Sequence, residues 1–312
     1  MDTNKRKSIL QRIEQKLNMP YLSDKLTNEL SSSDFNSLLT EVFAQRAESV
    51  SPNEMIKLYA QNGYAKPAAC DAIQYRRLEV EMLLAAEEKG IQSIILSPAS
   101  LFGCCSVFGA VSQNKVISAA RNLEILSDAT NMLALYIAAG KKDGSLSNAN
   151  AAIHLCTTHR HIRYQSEFIT GMLPHFGIFT MVSAGKSRSS YAFEIETLLF
   201  QLRFYRDYWA AKHGSILSLS LNRRKGYKDP DGFFNRVVEA VKENIDMEII
   251  VDEQENDTVY YKGLQATLSA RADGGDIEIG DIGFTDWTQK LLNNTSERLL
   301  ISAMALDRQM SL

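Results

Sequence analysis

At 312 residues the chain is too long for a minimal module and short enough for one or two domains, with a core of useful size. Lys and Arg total 34 against 37 Asp and Glu, a formal charge of -3, which excludes a chain built chiefly to coat nucleic acid. The 45% hydrophobic and 23% charged content, with only six prolines, excludes collagen-like, low-complexity and extensively disordered classes. No apolar run reaches membrane length, and the basic start MDTNKRKSIL lacks the apolar stretch of a signal peptide. Cys70, Cys104, Cys105 and Cys156 have no CxxC spacing and read as buried thiols of a reducing compartment, so a cytoplasmic location is expected.

In chain order, residues 1–65 read as a helical arm: short amphipathic segments punctuated by polar runs, with Phe35, Leu38, Leu39 and Val42 at helical spacing. DAIQYRRLEVEMLLAAEEKG predicts a long helix capped by Asp71 and stopped by Gly90, burying Ile73, Leu78, Met82 and Ala85. IQSIILSP and RNLEILSD predict strands, the first halted by Pro98, and NMLALYIAAG a helix ending at Gly140. AAIHLCTTHRHIRYQ and HFGIFTMVSAGKS predict two strands joined by a long turn. Helices follow at YAFEIETLLFQLRFYRDYWAAKH, with Phe193, Leu198, Leu202, Tyr205 and Trp209 on one face, and at FFNRVVEAVKENI. SILSLSL, MEIIVDE, TVYYKGLQATLSA and DIEIGDIGF complete the strand set, the last two separated by a turn at Asp273, Gly274 and Gly275. Residues 66–312 thus form an α+β unit: a largely antiparallel sheet flanked by helices.

The densest polar cluster is HRHIRYQ. Strand alternation puts His159, His161 and Arg163 on one face and Arg160 on the other. Two histidines at i and i+2 have no third ligand at suitable spacing, so no metal site is expected and surface histidines are the plainer reading. SAGKS lacks the first glycine of a phosphate-binding loop and reads as a strand-to-helix turn. Asp128 suits an N-cap for the following helix, and Asp281 and Asp286 suit turn caps. Of Tyr260 and Tyr261, alternation predicts that only one lines a pocket.

The order of these elements resembles the catalytic core of class II aminoacyl-tRNA synthetases of the histidyl type, over roughly residues 71–312. IILSP ending at Pro98 resembles motif 1, which builds the dimer interface in that family, so a homodimer is implied. SDATN resembles the acidic-x-Thr loop that holds the amino acid, implying Asp128 and Thr130 as substrate contacts. RHIRYQ is similar to motif 2, implying Arg160, Arg163 and Gln165 as nucleotide-binding, with Arg160 on the α-phosphate; Gly171 matches the loop glycine and Phe176 the adenine-stacking aromatic. VYYKGLQ is similar to the histidyl-type tyrosine signature, implying Tyr261 and Gly263 as substrate contacts, and IGDIGFTDW to the strand that follows, keeping Gly283 and Asp286, the latter also implied as a substrate contact. SAMALDR resembles motif 3, with Arg308 where the family clamps the γ-phosphate. Arg160 and Arg308 are therefore the implied catalytic pair, and ATP with Mg²⁺ the implied cofactor.

The sequence departs from the family at Ile162, where motif 2 has glutamate, at Pro174 and Val182, which replace charged groups, and at Ala303 and Ala305, which replace motif 3 glycines. Asn256 lies near the place of the substrate arginine. Only four residues follow Arg308, so no anticodon-binding domain is expected after it and tRNA charging is not implied. In organisation the chain is similar to the regulatory subunit of ATP phosphoribosyltransferase. The expectation is a small-molecule-binding paralogue, taking an amino acid or nucleotide, that serves a partner enzyme. The alternatives are an ATP-dependent ligase forming an acyl-adenylate and a structural dimerisation or RNA-associated protein.

Overall fold

The computed structural model describes residues 3–146, 151–164, 173–254, 260–272 and 275–312; Gln165, Gly171, Asn256, Asp273 and Gly274 lie outside the described residues. The arm consists of α1 (Thr3–Leu17), α2 (Leu22–Asn28), α3 (Ser32–Glu48) and α4 (Pro52–Gln61). Ser31 and Ser51 cap the last two by accepting from Asp34 N and Glu54 N, and Pro52 opens α4 where a missing N–H is harmless. No described residue of these helices is buried. Asn36 ties the arm to the rest: its Nδ2 donates to Asn122 Oδ1 at 2.6 Å and its Oδ1 accepts from Asn122 N at 3.1 Å.

Helix α5 (Ala72–Glu88) begins as expected, Asp71 accepting from Gln74 N, and stops before Gly90 in the left-handed region. Its buried face is Tyr75, Leu78, Met82 and Ala86, whereas Ile73 is 63% exposed. The stripe is thus rotated from the one expected, because Tyr75 is the side chain that docks on the sheet. Only Gln92–Ser93 (β1) of the first expected strand pairs. A small sheet of β2 (Ala99–Leu101), β3 (Ser118–Ala119) and β4 (Leu123–Ile125) encloses α6 (Cys104–Val107). Its centre is the fully buried Glu124, which accepts from Gly103 N (2.9 Å), Gln113 Nε2 (2.8 Å), Ser100 Oγ (3.3 Å) and Cys105 N (3.3 Å). Four donors on one carboxylate satisfy a charge that burial would otherwise disfavour.

Helix α7 (Ala129–Asp143) runs through Gly140 and ends at Gly144, one turn later than expected. The expected pair of strands is β5 (Ile153–Ile162) and β6 (His175–Lys186), antiparallel from Ile153 opposite Ala184 to Ile162 opposite His175. SAGKS is the end of β6 itself, not a turn, because Ser183 to Lys186 stay paired with β11 (Glu297–Ala305). The remaining elements are α8 (Ala192–His213), β7 (Ser218–Arg223), α9 (Pro230–Asn244), β8 (Glu248–Asp252), β9 (Lys262–Ala272), β10 (Gly275–Thr285), α10 (Trp287–Leu292) and α11 (Leu306–Gln309).

Among the described residues the main sheet has the order β1-β5-β6-β11-β10-β9-β7-β8, antiparallel from β5 to β7 and parallel at both edge pairs. Alternation sorts its side chains into two layers. Phe179, Met181, Leu219, Leu268, Ile282, Leu300 and Met304 pack beneath α5, α8 and α9, where Phe193, Leu198, Leu202, Tyr205 and Trp209 are all buried as their spacing predicts. Ile153, Leu155, Val182, Ala184, Leu299 and Ile301 face α7 and Trp287. Beyond the reach of α7 that second face turns polar, and there the sheet forms the floor of a cavity. No helix of the described residues is long and apolar enough to cross a membrane. All four cysteines are free thiols; Cys104, Cys105 and Cys156 are buried, which pushes each thiol up to about 12, while Cys70 is only partly buried.

Candidate functional site

The cavity, about 470 Å³, is bounded by the N-terminus of α7, the ends of β5 and β6, and the centres of β9, β10 and β11. Asp128 stands at its edge as the N-cap of α7: Oδ1 accepts from Thr130 N (3.0 Å) and Thr130 Oγ1 (2.6 Å). The cap and the pocket contact are one residue, because Oδ2 is left to the cavity side, where Tyr260 donates its hydroxyl at 2.5 Å and Arg163 Nη2 lies at 3.6 Å. Arg163 also donates through Nε to Ser127 O (3.1 Å) and rests over the Phe176 ring at 5.6 Å. Burial works against its charge, but Asp128, Tyr260 and Asp281 outweigh it and raise its pKa.

A second tyrosine–carboxylate pair lies beside the first. Tyr261 donates to Asp281 Oδ2 at 2.7 Å, and Gln265 Nε2 stands 3.5 Å from the same oxygen. The amide of Gln265 is oriented from behind by Arg224, whose Nη2 donates to Oε1 at 2.7 Å. Withdrawal from water raises the Asp281 carboxyl to about 6, against the hydrogen bond from Tyr261, which lowers it. Both tyrosines are pushed well above their ordinary value by burial and by the neighbouring carboxylates. Gly283 makes this packing feasible: a Cβ there would fall 2.2 Å from Tyr261 Cδ1. Gly283 thus seats the tyrosine.

Both Tyr260 and Tyr261 line the cavity, contrary to the alternation argument, because β9 begins only at Lys262 and neither belongs to the ladder. Asp281 is a cavity group, not a turn cap. His161 is completely buried, not a surface group: its Nε2 accepts from Ala129 N at 3.1 Å, and burial holds its pKa well below the usual imidazole value.

Of the residues singled out in the sequence, Asp128, Thr130, Arg163, Phe176 and Tyr261 meet in this cavity. Gly263 sits one residue into β9 with φ +72, outside the lining, its N–H donating to Lys225 O. Asp286 faces elsewhere, paired with Lys262 (3.6 Å) and Lys290 (3.0 Å). Arg160 is on the opposite face of β5, as alternation predicts, where Nη2 meets Asp307 Oδ1 at 3.0 Å, Nε donates to His175 Nδ1 at 2.7 Å, and Tyr75 lies under the guanidinium. Arg308 is exposed and donates to the carbonyl of Glu278. Neither arginine implied as a phosphate clamp lines the cavity that holds Phe176, and Arg163 lies over that ring; as placed, these groups do not fit a nucleotide triphosphate. No group of three or more metal-ligating side chains occurs among the described residues. Gln265, Lys115 and Arg224 are the functional candidates that the sequence reading missed.

No protein-family model and no curated protein matches the chain. Solved structures do. The chain is similar to S. aureus histidyl-tRNA synthetase at 15% identity and TM-score 0.60, covering 80% of this chain and 68% of that one. A histidine–tRNA ligase subunit from Alicyclobacillus acidocaldarius matches at 12% identity and TM-score 0.59, over 80% of this chain and 95% of that one. An ATP phosphoribosyltransferase regulatory subunit/histidyl-tRNA synthetase from Bacillus halodurans matches at 11% and TM-score 0.55, over 76% and 78%. The mixed sheet flanked by helices is a class II aminoacyl-tRNA synthetase-like fold.

Proposed function

We propose that the chain binds a small amine-bearing molecule, of the amino-acid class, in the cavity and acts as an accessory or regulatory protein to a partner enzyme, without charging tRNA. The observation that carries this reading is the twin pairing of Tyr260 with Asp128 and Tyr261 with Asp281, with Arg163 between them. Two shielded carboxylates favour a cationic group, because an ammonium brought among them recovers in charge-assisted hydrogen bonds what it loses in hydration. Arg163 and Lys115 supply the complementary positive charge for a carboxylate at the other end. Apart from Gln265, the rest of the lining is aromatic, aliphatic or small, as ligand pockets commonly are. Fold likeness to a regulatory subunit supports the accessory role by analogy alone.

The same geometry weighs against the ligase alternative, since Arg160 and Arg308 are engaged away from Phe176. Calorimetric titration with the twenty amino acids and with ATP plus Mg²⁺ separates the two. Saturable binding of one amino acid, lost in Asp128→Asn, supports the proposal. ATP-dependent pyrophosphate exchange with an amino acid overturns it in favour of the ligase.

A further inference from the structure

A second cavity, about 620 Å³, opens where α8 begins and β9, β10 and β11 meet their loops, and no residue lining it lines the first. Three cations border it, Lys228, Lys262 and Arg298; the one lining carboxylate, Asp286, lies 3.6 Å from Lys262 and is shared with Lys290 outside the lining, so the wall keeps a net positive charge. Arg298 is held as a rigid donor: Nε is 2.7 Å from the buried Glu194 Oε1, Nη1 donates to the carbonyls of Thr295 and Glu297, and the guanidinium lies over Tyr227 at 6.0 Å. Nη2 is the edge left for a ligand. Lys262 lies against the backbone at Gly226, which has φ +120 and where a Cβ would meet Lys262 Cδ at 2.7 Å. A side chain at that position would push the ammonium's stem away.

Two further features show that the site is built, not incidental. Thr285 lines the cavity, is 3% exposed, and has an Oγ1 with no hydrogen-bond partner. A buried hydroxyl without a partner is unfavourable, so its place in a cavity wall marks a group kept for something that is to be bound. Tyr191, which also lines the cavity, has left-handed backbone (φ +60), an uncommon conformation for a residue with a side chain, and meets Tyr227 edge-on at 5.9 Å.

We propose that this cavity binds a small phosphomonoester. Three cationic groups and a hydroxyl donor exceed what the two oxygens of a carboxylate can use and suit the three terminal oxygens of a phosphate, while the Tyr191 ring, edge-on to Tyr227, gives its organic body an aromatic contact. The proposal is independent of what the first cavity binds.

The test is titration of the full chain with phenyl phosphate as the probe and with benzoate as the carboxylate control, for the native protein, Lys262→Met, Thr285→Val and, as the first-cavity control, Arg163→Ala. Saturable binding of phenyl phosphate over benzoate is expected, weakened about tenfold by Lys262→Met and severalfold by Thr285→Val, and not lost in Arg163→Ala. Without ligand, Thr285→Val is expected to unfold at a higher temperature, because it removes the unpaired hydroxyl while keeping its shape. Absence of saturable binding to the native protein overturns the proposal, as does equal affinity in Lys262→Met and Thr285→Val. Loss of binding in Arg163→Ala alone would assign the phosphate to the first cavity and overturns it too.

Discussion

Tyr260 donates its hydroxyl to Asp128 at 2.5 Å, joining residues 132 positions apart and closing the cavity between α7 and the approach to β9. The bond ties the cap of a helix to the wall of a pocket: Oδ1 of the carboxylate holds the first turn of α7 and Oδ2 faces tyrosine and arginine. The residue that caps α7 is thus also a wall of the cavity.

Tyr260→Phe leaves the ring on Trp287 and removes only the donor. A hydrogen bond to a charged, buried acceptor contributes about 1.5–3 kcal/mol, so a stability loss near the lower end is expected, Arg163 remaining as partner. Denaturant unfolding should show a lower midpoint with an unchanged slope.

Asp281 introduces a pH dependence of definite sign. Its carboxyl is raised to about 6 in the fold, whereas in the unfolded chain it titrates near about 4. The folded protein therefore holds the proton more tightly, and this contribution to stability is full below the unfolded value and is lost as pH rises through about 6. His161, held neutral by burial, acts in the opposite direction as pH falls below the ordinary imidazole value. The expected result is thus in the difference: the stability of native protein relative to Asp281→Asn rises as pH falls from about 6 to about 4. A difference that is flat across that window contradicts the assignment.

Glu124→Gln keeps the shape of the small sheet's centre but gives one face of the side chain donors where Gly103 N and Gln113 Nε2, or Ser100 Oγ and Cys105 N, also donate. Facing donors lose their acceptor inside the protein, a change that costs about 1–3 kcal/mol for each unsatisfied group. The 103–116 segment should loosen first, and hydrogen exchange at Gly103 and Cys105 should quicken before the main sheet is affected.

The three arginines are expected to separate by function. Arg163→Ala should weaken binding of an amino acid by about tenfold or more, the scale of one charged contact. Arg160→Ala and Arg308→Ala should leave that affinity unchanged, and Arg160→Ala should lower stability because Asp307 loses its ion-pair partner and keeps only the Gly177 N–H. Parallel titrations of the three variants check this.

Much of the frame is legible in sequence because it rests on local rules. Asp71 and Gly90 mark the ends of α5, and period-two alternation assigns Arg160 and Arg163 to opposite faces before any strand is paired. Pairing across the sheet is not local, and there the reading fails. Gln265 reaches Asp281 because the register sets Thr267 opposite Asp281, making Gln265 its diagonal neighbour, and no spacing in the chain encodes that. Alternation also misleads at Tyr260 and Tyr261, which precede the strand whose period was applied to them. Arg160 and Arg308 were assigned from resemblance to arginines that act on a nucleotide, while here Asp307 and the Glu278 carbonyl engage them.

The central claim, an amine-binding cavity, is tested most directly by thermal unfolding of the native chain and Asp128→Asn against the twenty amino acids, their deaminated analogues, and ATP with Mg²⁺. A ligand of the native state must raise the midpoint by mass action. The predicted result is a rise with one or a few amino acids, absent with their deaminated analogues, lost in Asp128→Asn, and no rise with ATP. Stabilisation by ATP with Mg²⁺ that disappears in Arg160→Ala and Arg308→Ala, with no response to any amino acid, would contradict it.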